Sequence, residues 1–249
     1  MINFSIFDDQ PLIYGLSKKN DGPMNFRFPE NRQEFLTRND LTEKLILPRL
    51  QHGNGVVSIN KENISGDFQA DALITKEKGI LLGVTVADCF PVYFFDSVTQ
   101  AIGIAHCGWR GVLKNIVPEM ISVFKNNFGS KPENILLAIG PGLRFCHFVV
   151  QDDVIGQFAG YESFTPTPDK DNRTFGLQAN PHQVWGFIEK KEDGYYVDLE
   201  KIIHYQAMKN GVRIVEVAGI CTFEKEDYFS YRRDKKEQVD SMLAYIGLK

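Results

Sequence analysis

Long hydrophobic runs are missing from this chain. The longest, Ile80–Ala87, is interrupted by Gly83 and Thr85, and a membrane-spanning helix needs about 20 apolar residues. An excess of one charge is missing too. Lys and Arg number 28 against 32 Asp and Glu, for a net charge of −4 and a pI near 5.8. That balance excludes a generally basic nucleic-acid binder. Repeats, low-complexity tracts and Pro/Gly/Ser-rich linkers are absent. The first residues, MINFSIFDDQPL, lack the basic n-region of a secretory signal, so a cytoplasmic location is expected. Hydrophobic residues make up 43% and charged residues 24%, which is globular usage and too apolar for disorder. A length of 249 residues suits one large domain over residues 1–249.

Cysteine and histidine are scarce. The four Cys are at 89, 107, 146 and 221, and the five His at 52, 106, 147, 182 and 204. A chain this long buries a core without disulfide staples. Thiols are therefore expected, and a Cys with a special role should be a ligand or a nucleophile.

β-Branched and aromatic runs ended by turn residues predict strands at Gly55–Ile59, Ala72–Thr75, Ile80–Val86, Val92–Asp96, Ala101–His106, Ile135–Gly140, Tyr195–Val197 and Arg213–Val217. Periodicity predicts helices at Glu30–Leu45, Gly111–Phe128 and Leu199–Asn210. Pro118 requires the second helix to start late, near Asn115, or to kink. Phe164–Arg173, with two Pro and four charges, reads as a surface loop. Short, unevenly spaced strands among few helices favour an α+β layered fold over a strict parallel βαβ sheet.

Three segments place chemistry at predicted strand ends: Gln51–Gly55 (QHGNG), Ala87–Pro91 (ADCFP) and Ala105–Gly111 (AHCGWRG). Two imidazoles and a thiolate meeting at a sheet edge would suit Zn²⁺ or copper, with one coordination position left open. The bland alternative keeps His52 on a surface turn, Cys89 as a small buried hydrophobe and His106 as a satisfied semi-buried side chain. No local pair such as C-x-x-C decides between them.

The order of motifs adds to this. QHGNGV, GDFQADALIT, VADCFPV, AHCGWRG, AIGPGL and CT…FSYRRD, running from about residue 51 to 234, together resemble the YfiH-type laccase-domain family. That family is also described as multicopper polyphenol oxidase-like, as purine nucleoside phosphorylase and as peptidoglycan editing factor. The resemblance implies a layered α/β/β/α sandwich with mixed sheets, related to cysteine-hydrolase-like folds. It implies a metal site on His52, Cys89 and His106, with zinc the usual occupant and copper the alternative. It also implies a small-molecule substrate, with no nucleic acid and no membrane as partner. The activities implied are phosphorolysis of adenosine, inosine and methylthioadenosine, and adenosine deamination. Oxidation of phenols is the older attribution.

The chain departs from the family pattern in three places. Cys107 stands where a small residue is common. Arg144–Phe148 replaces a Cys-Tyr-Glu type of run. Lys235–Gln238 follows SYRRD instead of a Gly-Arg pair.

Five His are too few for a blue-copper centre plus a coupled copper cluster, which argues against a true laccase. For the nucleoside reading, Asp88 is the nearest carboxylate for proton transfer, with a turn-stabilising role as its alternative. Arg110, Arg232 and Arg233 are the candidate phosphate binders, with surface ion pairing as theirs. Trp109 reads as core more than as a purine platform. Cys89 and His106 could instead form a hydrolase dyad acting on peptidoglycan precursors. A catalytically silent module is the remaining reading, and it would need a closed structural zinc site, with Cys107 as a possible fourth ligand.

Overall fold

The computed structural model describes residues 2–159, 161, 186–235 and 237–249. The predicted loop Phe164–Arg173 and His182 lie outside these residues. In chain order the elements are β1 (Leu12–Leu16), α1 (Pro29–Arg38), β2 (Lys44–Ile46), β3 (Val56–Ser58), β4 (Ala72–Thr75), β5 (Ile80–Val86), β6 (Phe90–Asp96) and β7 (Ile102–Cys107). There follow α2 (Trp109–Leu113), α3 (Ile116–Phe128), β8 (Ile135–Ile139), β9 (Val149–Val150), α4 (Asp152–Ile155), β10 (Ile188–Lys191) and β11 (Gly194–Val197). The last are α5 (Leu199–Lys209), β12 (Ile214–Val217), α6 (Tyr231–Asp234) and β13 (Met242–Leu248).

Two mixed sheets carry the fold. One runs β12-β8-β6-β7-β4-β3 and the other β1-β13-β5-β2; a small third sheet runs β10-β11-β9. Strand alternation separates the cores. On β6, Phe90, Val92 and Phe94 pack beneath α3 and α5 with Met120, Phe124, Ile202 and Ile203. The opposite face of β6, Tyr93 and Phe95, meets Leu82, Val84 and Val86 of β5 between the sheets. The outer face of the smaller sheet, with Leu81, Leu243 and Tyr245, is covered by Phe35 and Leu36 of α1. The order is helix, sheet, sheet, helix, the expected α/β/β/α sandwich. Among the described residues no helix is long and apolar enough to cross a membrane.

Two predicted helices are corrected. The first ends at Arg38, where Asp40 takes a left-handed conformation (φ 53°), and Lys44–Ile46 becomes a parallel strand beside β5. The second divides at Asn115, itself left-handed (φ 63°). Pro118 then falls at the third position of α3, where no intrahelical N–H is required. This is the late start that Pro118 demanded.

Candidate metal centre and active site

The chain crosses from one sheet to the other between Val86 and Phe90, and Asp88 and Cys89 occupy that crossing. His106 lies near the end of β7, directly opposite Pro91 of β6. His52 lies in the turn leading to β3. β4 pairs with β7 through Ala72 and Ala105, so the residue before it, Asp71, sits at the same end of the sandwich.

Asp71 is fully buried. Its Oδ1 accepts the N–H groups of Gln51 (3.0 Å) and His52 (2.8 Å), and its Oδ2 accepts that of Gly53 (2.7 Å). Three charge-assisted bonds pin this turn, and His52 is held at a φ of 53°. The backbone carbonyl of Asp71 accepts the N–H of His106 at 2.7 Å. The sequence showed GDFQADALIT as a motif, but nothing marked Asp71 as the residue that fixes both imidazole segments.

His106 is 5% exposed. Its Nδ1 lies 2.9 Å from the Thr85 carbonyl oxygen, which cannot donate, so Nδ1 carries the hydrogen. Nε2 then presents a lone pair, and it is buried without a hydrogen-bond partner. Burial, and next the neighbouring His52, push the His106 pKa down to about 4, so the imidazole stays neutral. The rings of His52 and His106 stand edge to face with centroids 5.2 Å apart. Burial, then Asp88 and Asp71, push the Cys89 thiol up to about 12.

Gly108 marks where these groups converge. A Cβ there would lie 2.9 Å from Cys89 Sγ, 3.6 Å from His106 Nε2 and 3.8 Å from His52 Cδ2. Only a residue without a side chain leaves that space clear. Gly111 has a similar role, because a Cβ there would meet the Gly53 carbonyl oxygen at 2.5 Å. α2 can therefore lie against the His52 turn. An orphaned imidazole lone pair, a thiol and a second imidazole around one cleared point fit a thiophilic cation such as Zn²⁺. The trio is looser than a closed site. Among the described residues, the group whose donor atoms all lie within 4.8 Å of one another is a different one, Cys146, His147, Cys221 and Glu224.

The other predicted site residues fall into two groups. Asp88 (φ 81°) accepts the Thr222 hydroxyl on Oδ1 (2.6 Å) and the Arg232 backbone N–H on Oδ2 (2.7 Å). Both oxygens are engaged, which matches the turn-stabilising reading of Asp88 more closely than the proton-shuttling one. Arg233 differs from its phosphate-binding expectation. Its Nη1 donates to the carbonyls of Thr222, Phe223 and Lys225, its Nη2 to that of Tyr228, and its Nε to Asp234. That guanidinium is a brace. Arg232 Nη1 donates to the Val149 carbonyl at 3.0 Å. Arg110 is exposed, lies over the Trp109 ring at 4.3 Å and acts electrostatically on Cys89. Trp109 itself stacks on buried Phe158, the core role expected of it. Cys107 is fully buried in the layer beneath α3 and α5. It is the residue next to His106 on β7, so its side chain lies on the opposite face of the sheet from that imidazole.

A cavity of about 770 Å³ lies against α1 and the segment up to Leu45. It contains none of these residues, and its lining offers no cluster of metal-ligating side chains.

The family profile described as "Multi-copper polyphenol oxidoreductase laccase" matches residues 18–249. The chain belongs to this family. A curated relative, "Purine nucleoside phosphorylase" of Deinococcus radiodurans, is 32% identical over 200 residues, covering 80% of this chain and 69% of that protein. "Purine nucleoside phosphorylase YlmD" of Bacillus subtilis is 30% identical over 182 residues; the match covers 72% of this chain but only 59% of that longer protein. Among solved structures, YlmD from Geobacillus stearothermophilus superimposes with a TM-score of 0.80 at 24% identity, covering 96% of this chain and 93% of that one. At that identity the likeness is one of fold.

Proposed function

We propose that this chain is a zinc-dependent purine nucleoside phosphorylase, with His52, Cys89 and His106 as the metal ligands. The observation that carries the proposal is the buried, unpartnered Nε2 of His106 facing the space that Gly108 leaves beside Cys89 and His52. The relatives' names supply the substrate class. His52, Cys89 and His106 would hold the cation, which would supply Lewis acidity to a bound reactant.

The chain's own residues then divide the remaining work. Thr85 holds the His106 tautomer through its carbonyl, as ligating imidazoles are commonly held through their other ring nitrogen. Asp71 holds both imidazole-bearing segments in register. Arg110, exposed at the rim beside Cys89, is the cation available to a phosphate or to the departing sugar phosphate. Asp88 positions Arg232 and Thr222 around the crossing. Adenosine, inosine and methylthioadenosine are the proposed substrates, with adenosine deamination as a second activity of the same centre. Copper can occupy the same donors, since Cu²⁺ exceeds Zn²⁺ in affinity for N/S sites.

The test uses metal-defined protein and adenosine, with and without phosphate. Adenine formed only with phosphate supports phosphorolysis, and inosine formed without it supports deamination. No turnover with any metal overturns the nucleoside reading in favour of a Cys89–His106 hydrolase or a silent module. A Cys89→Ala chain that binds as much zinc as the parent overturns the ligand assignment.

A further inference from the structure

Two turns far apart in the chain meet behind the proposed centre. One follows Gly142 and carries Cys146 and His147; the other carries Cys221, Thr222, Phe223 and Glu224. Their backbones are tied together. Gly142 N–H donates to the Ile220 carbonyl at 3.2 Å, and Thr222 N–H donates to that of Gly142 at 3.0 Å. The side chains converge more tightly than those of the first trio. From His147 Nδ1 the distances are 3.1 Å to Cys146 Sγ, 3.6 Å to Cys221 Sγ and 3.7 Å to Glu224 Oε1. All four donor atoms lie within 4.8 Å of one another. The His147 ring is set in plane by Phe223, stacked on it at 4.2 Å and 20°.

We propose that Cys146, His147, Cys221 and Glu224 form a second metal site, which binds one thiophilic divalent cation, zinc by preference, in closed tetrahedral coordination. The distances carry the geometry. Bonds of about 2.3 Å to sulfur and 2.0–2.2 Å to nitrogen and oxygen place neighbouring tetrahedral donors about 3.4–3.8 Å apart. Two of the separations from His147 Nδ1, 3.6 and 3.7 Å, fall inside that range, and the third, 3.1 Å to Cys146 Sγ, is shorter. Two sulfurs, one imidazole and one carboxylate form a donor set that selects Zn²⁺ over Mg²⁺ or Ca²⁺. Four protein donors leave no open position, so the site is structural and not catalytic. Binding needs no oxidant. The two thiols give up their protons to solvent as the two metal–sulfur bonds form, and the carboxylate and neutral imidazole contribute lone pairs.

The position of the site gives it a purpose. Thr222 lies between two of the ligands and donates to Asp88. The carbonyl of His147 accepts from Arg232 Nη1 at 3.4 Å, and Arg232's own N–H is held by Asp88. A cation joining residues 146–147 to residues 221–224 would fix the framework from which the Asp88–Cys89 crossing is suspended.

The site does not depend on the function proposed above, and the test separates the two. The full-length Cys89→Ala chain is loaded with Co²⁺ as a spectroscopic substitute for zinc, so that sulfur ligation from the first trio is removed. A remaining near-ultraviolet thiolate-to-cobalt band, with intense visible bands of tetrahedral cobalt, is expected. Both should be lost on adding Cys146→Ser and Glu224→Gln, two changes at exposed positions. In the otherwise unchanged protein, those two changes should lower bound zinc by one equivalent per chain whatever the parent total. Cys221→Ser should do the same if that chain folds. Two outcomes overturn the proposal: unchanged zinc content in the Cys146→Ser/Glu224→Gln chain, or a parent purified as a Cys146–Cys221 disulfide that binds no metal there after reduction.

Discussion

Asp71 holds His52 and His106 at once: its carboxylate accepts the His52 N–H at 2.8 Å, and its backbone carbonyl accepts the His106 N–H at 2.7 Å. One buried residue thus sets the spacing of two imidazoles 54 positions apart in the chain (106 − 52). Asp71→Asn keeps the size but turns one acceptor into a donor facing an N–H. Zinc affinity should fall roughly 10- to 100-fold, as loss of outer-shell support commonly does. Stability should fall by about 1–3 kcal/mol for the unmet donor. Competition against a chromophoric chelator and urea denaturation measure the two. Unchanged affinity would remove Asp71 from the site.

Gly108 is the second test. An added methyl group would sit 2.9 Å from Cys89 Sγ, closer than packed atoms approach. Gly108→Ala should fold, because the methyl enters the space between the ligands and not the cores. It should hold substoichiometric zinc and lose turnover in parallel. Full zinc occupancy in this variant would mean that the three groups do not share one ion.

The three proposed ligands each stand at a strand end beside a turn former, but that placement left the bland reading open; the order of the family's motifs singled them out. Asp71 was not singled out, because its partners are backbone N–H groups, which leave no mark in the sequence. The cluster of Cys146 and Cys221 was hidden for another reason. Its halves lie in turns 75 residues apart (221 − 146), without the local C-x-x-C spacing that betrays a zinc site. Met242–Leu248 escaped notice as a strand because it is buried on both faces, which erases the two-residue alternation that reveals a strand. Glu30–Leu45 read as one helix because its apolar spacing continues past Asp40, whose left-handed backbone ends it.

Asp88 separates positioning from proton transfer. In Asp88→Asn, one of the bonds to Thr222 and the Arg232 N–H is lost. The expected result is a kcat lower by roughly 10- to 100-fold through misplacement, with the pH profile of kcat/KM retained in shape. Disappearance of one limb of that profile would instead identify Asp88 as the titrating group.

His204, buried on α5, has its pKa pushed down to about 4 by burial. Unfolded, it binds a proton near pH 6.5. Between those values the unfolded chain carries more protons, so stability rises with pH. The contribution is fully present above about pH 6.5 and is lost as pH falls through about 4; it is on the order of 3 kcal/mol. Urea denaturation from pH 4 to 7 should show this slope, and His204→Gln should flatten it. An equal slope in the variant would assign the acid sensitivity to other groups.

Arg110 and Arg233 should behave as opposites, although both are arginines near the same crossing. Arg233 donates to four backbone carbonyls and to Asp234. Arg233→Ala strands those acceptors, and removing a half-buried hydrogen-bonded group of this kind costs about 1–3 kcal/mol. Arg110 is exposed and lies over the Trp109 face, so Arg110→Ala should change stability by no more than about 0.5 kcal/mol. Its effect should appear in catalysis, as a KM for phosphate raised about tenfold, in line with losing a charge-assisted contact of about 1.5–3 kcal/mol partly shared with solvent. Phosphate titrations at fixed nucleoside, set beside denaturation curves of both variants, distinguish the two roles. If phosphate KM moves only in the Arg233 variant, the anion lies on the α6 side of the crossing and the assignment to Arg110 fails.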